Sequence, residues 1–299
     1  MAVDPITRTF GSVLVAMVTP FTDQGALDLD AAQRVATHLV DGGCDGLVIS
    51  GTTGESPTTT DAEKESLLRA VLEAVGNRAT VIAGVGTNDT PHTIELAQQA
   101  AKAGAHGLLV VTPYYSKPPQ AGLIAHFSAV ADSTGLPVML YDIPGRSGVP
   151  IQTETMVRLA EHPRIVAVKD AKDDLYQGAW VLARTGLEIY SGTDELNLAW
   201  LVTGGSGMVS VVGHAAAGQY RAMVTAMDAG DLVTARRINT ELLPAVRGMM
   251  TRTQGAIMAK AALQLQGVLS SRHLRSPMVA ATDEEVAVLR ADLEEATLL

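Results

Sequence analysis

Two apolar runs end in residues that can do carbonyl chemistry. Ile165-Val-Ala-Val168 leads straight into Lys169, and Pro137-Val-Met-Leu-Tyr141 ends in a tyrosine. If both runs are strands, Ile165, Ala167 and Lys169 share one face while Val166 and Val168 take the other. Should that face look into a sheltered interior, the lysine ammonium is poorly hydrated and its pKa falls. A neutral amine is what Schiff-base formation with a ketone requires. A phenol beside it can carry protons to and from the carbinolamine oxygen. Each residue also has an unreactive reading. Lys169 can reach water or pair with Asp170 or Asp173, and Tyr141 can be a core residue with a satisfied hydroxyl.

The segments after these runs offer binding groups. Arg146 follows Pro144-Gly145, a pair read as helix-breaking, and its planar fork suits a carboxylate, although an ordinary surface arginine fits equally. Gly51-Thr-Thr-Gly-Glu-Ser56 is a glycine-bounded turn whose N–H groups and hydroxyls suit a small anion, or simply cap a tight turn. A phosphate loop needs a lysine after its second glycine; Glu55 stands there, which argues against a nucleotide. Val111-Thr-Pro113-Tyr-Tyr115-Ser-Lys-Pro-Pro119 presents two tyrosines in a proline-rich loop, suited to an interface or a lid. Other chemistries find no pattern. The seven histidines show no metal-ligand spacing, Gly54-Glu-Ser56-Pro-Thr58 lacks the second glycine of a nucleophile elbow, and Cys44 reads as a small core residue.

Composition sets the frame for these groups. The 299 residues carry 22 Lys+Arg against 32 Asp+Glu, a formal net charge of −10, and 47% are apolar. Such a chain is too apolar for disorder, and no apolar run approaches the roughly 18 residues of a membrane span. An acidic balance without a basic block argues against nucleic acid or an anionic membrane surface. One cysteine excludes an internal disulfide. Residues 1–10 contain Asp4 and Pro5 and no apolar core of a signal peptide. The expectation is a reduced, cytoplasmic protein.

Positioning falls to alternating elements. Apolar runs of strand length start near Val13, Gly46, Thr80, Gly107, Pro137, Arg164, Leu187 and Gly207, separated by segments with helical spacing such as Ala32, Val35, Ala36 and Leu39. Thr60 with Glu63 reads as a capping box, Thr90-Pro91 as an N-cap followed by the first helical position, and Gly76, Gly104 and Gly135 as helix stops. Gly43-x-x-Gly46, Gly104-x-x-Gly107 and Gly204-x-x-Gly207 repeat one helix-to-strand junction. Strict alternation implies parallel strands with right-handed crossovers, and eight units over about 220 residues suit a closed (β/α)8 TIM barrel rather than an open sheet. The division expected is an N-terminal arm over 1–12, the barrel over 13–230, and a C-terminal helical appendage over 231–299, with helices near 231–251, 255–267 and 283–297. In such a barrel the working residues sit at the C-terminal ends of the strands.

Gly51-Thr-Thr-Gly-Glu-Ser56, Pro113-Tyr-Tyr115, Tyr141-Asp-Ile-Pro-Gly-Arg146-Ser-Gly148 and Val168-Lys169-Asp170, in this order and at these strand ends, resemble the dihydrodipicolinate synthase / N-acetylneuraminate lyase superfamily over almost the whole chain. The dihydrodipicolinate synthase branch fits best. The resemblance implies that Lys169 forms a Schiff base with pyruvate and that Thr52, Tyr141 and Tyr115 make a proton relay, Tyr115 reaching in from a neighbouring subunit. It implies that Thr53 binds the pyruvate carboxylate, that Arg146 holds the carboxylate of aspartate-4-semialdehyde, and that Gly192 and Val209 line the lysine pocket. No metal or organic cofactor is implied, and the assembly is a homotetramer built as a dimer of tight dimers. Ser56, Asn88 and Tyr114 match an allosteric lysine cleft, but Asp61, Lys64 and His92 stand where lysine-sensitive bacterial relatives often have His, His and Glu. The resemblance thus implies weak or absent lysine inhibition. The alternatives are another pyruvate-dependent aldolase or lyase on the same scaffold, acting on a sugar acid, from which Arg146 separates this chain, and a catalytically silent barrel, which would have lost Lys169 or Tyr141.

Overall fold

Short, branched, glycine-started runs favour strands buried on both faces, and eight of them form one closed parallel ring in the computed structural model, which describes residues 6–299. The strands are β1 (Val13–Ala16), β2 (Gly46–Ile49), β3 (Thr80–Gly84), β4 (Gly107–Val111), β5 (Val138–Asp142), β6 (Ile165–Asp170), β7 (Glu188–Ser191) and β8 (Gly207–Ser210). Each pairs with the next, and β8 closes on β1 through Val13–Met208 and Leu14–Val209. The expected starts at Pro137, Arg164 and Leu187 fall one residue early; the others coincide.

Helices α1 (Leu29–Asp41), α2 (Asp61–Val75), α3 (Thr90–Ala103) and α4 (Gln120–Asp132) follow the first four strands. Short α5 (Pro144–Ser147) and α6 (Thr153–Leu159) follow β5, and α7 (Leu175–Arg184), α8 (Asn197–Thr203) and α9 (Gly213–Asp228) follow the last three. The alternation then stops, and α10 (Leu232–Val246), a π turn at Arg247–Thr251, α11 (Gly255–Leu265) and α12 (Asp283–Glu295) pack outside the ring. Buried Asp292 on α12 accepts from both Arg247 and Arg252, which ties that appendage together.

Alternation splits the core in two. Leu14, Ala16, Val48, Ile82, Leu109, Met139, Tyr141, Ala167 and Val209 fill the inside of the ring, while Val13, Leu47, Val81, Leu108, Leu140 and Val168 face the helices. Ile165 departs from the expected face. β5 and β6 pair Val138 with Ile165 and Met139 with Ala167, so one extra residue of β6 is accommodated there. Ile165 consequently joins the outer core and Val166 packs against the inner one, while Ala167 stays inside. Below, Phe10 packs edge-on to Tyr190, ring centroids 6.4 Å apart, and plugs the ring at the N-terminal ends of the strands.

The repeated glycines have separable reasons. Gly43, Gly104 and Gly204 take φ of +113°, +98° and +105°, the left-handed conformation that leaves a helix cheaply. Gly46, Gly107 and Gly207 start strands where the chain is crowded: a Cβ on Gly207 would lie 2.1 Å from the Ser12 carbonyl oxygen. Other punctuation moved. Gly76 caps α2 with an ordinary φ of −62°, and Gly135 lies beyond the end of α4, which Ser133 caps. Asp89, not Thr90, caps α3 by accepting from the His92 N–H, so Thr90 is already helical. The Thr60–Glu63 capping box is formed as read.

Gly207→Ala should therefore lower unfolding free energy by about 1–3 kcal/mol in urea titrations, by forcing strand β8 away from Ser12. Gly135→Ala, where a Cβ meets nothing within 4 Å, should stay within about 0.5 kcal/mol of the parent.

Candidate active site

Parallel pairing brings the two candidate reactive residues together. Tyr141 on β5 registers with Lys169 on β6, and neighbours in a sheet point to the same face. Both enter the ring. Lys169 is 4% exposed, and its Nζ lies 4.4 Å from the centroid of the Tyr141 ring. The Tyr141 carbonyl is held in turn by the N–H and hydroxyl of buried Thr112. Gly192, at the end of β7, lies against the lysine stem: a Cβ there would sit 3.0 Å from both Cγ and Cε of Lys169. Val209 is buried in the inner core.

Asp170 does not pair with Lys169. Strand alternation turns it outward, where its Oδ1 accepts from the N–H groups of Lys172 (3.0 Å) and Asp173 (3.2 Å). Asp142 is its neighbour in register, accepting from the Ile151 N–H at 3.1 Å, and the Lys172 Nζ lies 3.6 Å from its second oxygen. Burial pushes the Asp142 carboxyl up to about 7 and the Asp170 carboxyl up to about 6, against the opposing pull of Lys172. This group of two buried acids and the partly buried Lys172 backs the Tyr141–Lys169 pair and escaped sequence reasoning. The signal was present in Tyr141-Asp142 and Lys169-Asp170, an acid one step after each inward residue, but only the register makes them neighbours.

Above Tyr141 opens a cavity of about 520 Å³ whose wall includes Thr52, Ser56, Tyr114, Tyr115, Tyr141 and Arg146. Thr53 is buried in the same turn as Thr52. Arg146 arrives differently from the sequence reading. Pro144 starts a helix instead of breaking one, as suits its fixed φ, and the single turn of α5 ends at Gly148 with φ +81°. Tyr115 is 91% exposed at the mouth, with a left-handed φ of +72°. Asn88 is exposed and lies off this wall, whereas Ser56 and Tyr114 share it with Thr52. Nearby, the His92 Nε2 meets the Asp61 Oδ2 at 2.9 Å. Cys44 is buried at the opposite end of the ring, its thiol pushed up to about 12 by desolvation.

A parallel barrel with a buried lysine beside a tyrosine, the tyrosine lining a cavity that also bears threonine and arginine, has the arrangement of a barrel enzyme able to host carbonyl chemistry at its strand ends. Comparison with known proteins narrows this. Residues 9–296 match the model of the dihydrodipicolinate synthetase family, to which this chain belongs. It is 69% identical over 291 residues to the 4-hydroxy-tetrahydrodipicolinate synthase of Kineococcus radiotolerans, covering 97% of this chain and 94% of that one. It is 65% identical over 284 residues to 4-hydroxy-tetrahydrodipicolinate synthase 2 of Streptomyces coelicolor, covering 95% and 94%. Among solved structures, the Cyanidioschyzon merolae enzyme of this family with lysine bound superposes with a TM-score of 0.95 at 40% identity, covering 98% of this chain and all of that one.

The raised Asp142 gives a pH test. A carboxyl whose folded pKa exceeds its unfolded value stabilises the fold below the unfolded pKa, and that contribution is lost as pH rises through the folded value. Asp142→Asn should therefore be less stable relative to the parent near pH 4 than near about pH 8, with the relative Tm climbing mostly between about pH 4 and pH 7. A Tm difference that stays flat over this range would contradict the assigned burial effect.

Proposed function

We propose that this chain condenses pyruvate with L-aspartate-4-semialdehyde to give 4-hydroxy-tetrahydrodipicolinate, in lysine and diaminopimelate biosynthesis. The observation that carries the reading is Lys169, buried in the ring with its Nζ against Tyr141, which itself lines the cavity bearing Arg146. The Lys169 amine attacks the C2 ketone of pyruvate, Tyr141 relays protons as water departs, and an imine results. The imine draws electrons from C3, a C3 proton leaves, and the enamine adds to the aldehyde carbon of the second substrate. That substrate's amine then attacks C2, closes the ring and releases Lys169. The imine supplies the activation, so the scheme needs no metal or organic cofactor.

The remaining roles belong to the same reading. Thr53 holds the pyruvate carboxylate, Arg146 the carboxylate of the semialdehyde, and Thr52 joins Tyr141 in the relay. Tyr115 completes that relay in a partner subunit. Its support is an aromatic side chain left 91% exposed at the cavity mouth of a single chain, an arrangement that makes sense when a second copy covers it. The working form is then a homotetramer of tight dimers in the cytoplasm; no helix among the described residues is long and apolar enough to cross a membrane.

Pyruvate with borohydride should label Lys169 irreversibly, read by peptide mapping, and an unlabelled Lys169 in folded protein would end the proposal. Arg146→Ala should retain labelling but lose about 100-fold or more in kcat/KM for the semialdehyde, since one charge-assisted carboxylate contact is lost. Comparable turnover of a sugar acid by the parent would instead favour an aldolase of wider range.

Feedback by lysine should be weak or absent. Asp61 and His92 are already paired with each other, and neither His92 nor Lys64 offers a carboxylate to an incoming ammonium. A low-millimolar or tighter inhibition constant for lysine would overturn this expectation.

A further inference from the structure

Glu55 lies at the end of the Gly51–Gly54 turn, yet its carboxylate serves none of the roles above. It is fully buried, and its backbone sits at φ +55°, a conformation that favours glycine. One carboxylate oxygen accepts from the Lys260 Nζ at 2.5 Å, and the other accepts from the Arg275 backbone N–H at 2.9 Å. Lys260 is itself fully buried on α11, in the appendage outside the barrel. Its ammonium also donates to the His273 carbonyl at 2.7 Å and stands 4.4 Å from the Phe21 ring. Burial pulls the Lys260 ammonium down to about 8, and the Glu55 carboxylate opposes that fall.

The clamp continues on both sides of the turn. The Arg275 side chain donates to the Thr58 carbonyl at 2.8 Å and pairs with Glu63, whose carboxyl it holds down at about 2. Within the turn, the Glu55 N–H donates to the Thr52 carbonyl and the Ser56 N–H to the Gly51 carbonyl. The Thr19 hydroxyl grips the Gly54 carbonyl at 2.6 Å. A salt bridge with both partners out of water adds little net stability over an apolar pair, and this one joins the turn to α11.

We propose that Glu55 is a positioning residue: clamped by Lys260 and the Arg275 backbone, it fixes the Thr52–Thr53 turn against the C-terminal helices and so sets how tightly that turn holds a substrate carboxylate. This rests on the assignment of Thr53 to the pyruvate carboxylate made above. A pair that merely fastened the appendage would change stability and leave pyruvate affinity alone.

The decisive protein is Glu55→Gln/Lys260→Met, which removes both charges together and leaves no unpaired buried ion. Folded variant, checked by circular dichroism, should need about tenfold more pyruvate for half-maximal borohydride labelling of Lys169, with labelling at saturation and KM for the semialdehyde within about twofold of the parent. Parental pyruvate dependence in folded variant overturns the proposal. If the double variant does not fold, Lys260→Arg keeps the charge but displaces the carboxylate, and about a threefold shift in half-saturation is expected; no shift overturns it. Amide hydrogen exchange over 51–56 reads the clamp without catalysis: about tenfold faster exchange in the variant supports it, and equal exchange rejects it. Failure of the parent itself to label at Lys169 would refute the Schiff-base reading, leaving exchange to decide the clamp.

Discussion

The register between β5 and β6 is the constraint on which the site depends. Side chains of paired residues in a sheet share a face, so aligning Tyr141 with Lys169 sends phenol and amine into the same interior. The next pair, Asp142 and Asp170, is sent outward by the same rule. A slip of one residue in β6 would turn the Asp170 carboxylate into the barrel and the Lys169 amine out of it, while Tyr141 and Asp142 on β5 kept their faces. Closure of the ring defends against such a slip, because every strand is held by two neighbours and none is a free edge. The extra residue accommodated near Ile165 lies at the entrance to β6, well below the reactive pair, so the irregularity is spent before it reaches the chemistry.

Charge is distributed in layers around that register. Inside, the Lys169 amine faces an aromatic ring, while the neighbouring Asp170 turns outward to the N–H groups of Lys172 and Asp173. Outside, Asp142, Asp170 and Lys172 share a buried site in which acids disfavoured by desolvation are partly compensated by one amine. Beyond the barrel, Glu55 and Lys260 carry the same logic to the appendage, where opposite charges fully removed from water demand each other's presence. The C-terminal helices are thus joined to the Gly51–Gly54 turn by ion pairing as well as by apolar packing.

How much of this could be read from residues alone depended on range. Glycine pairs such as Gly104 and Gly107 carry two local demands, a left-handed exit and a crowded entry, and local demands leave local signatures. Strand starts were therefore legible to within one residue, as was the capping box at Thr60. Asp89 and Thr90 are both good caps, and adjacency alone does not choose between them. Pro144 looked like a breaker because a proline either stops a helix or opens one, and the tertiary setting of Gly145 to Gly148 decides which. The placement of Lys169 at a strand end was legible from the apolar run before it. Its shelter by Gly192, the outward acids and the link from Glu55 to Lys260 span tens to hundreds of residues, and no periodicity encodes such meetings. The family resemblance singled out Lys169, Tyr141 and Gly192 but not the outward acids or the link from Glu55 to Lys260.

The plug formed by Phe10 and Tyr190 has a consequence for traffic. With aromatic side chains filling the lower end of the ring, the opening among the described residues lies at the other end, where Thr52, Tyr115, Tyr141 and Arg146 line the cavity. A ring stoppered below works as a cul-de-sac: on the function proposed above, the guest that sits deepest would have to enter first, and the product would have to leave backwards through the same doorway.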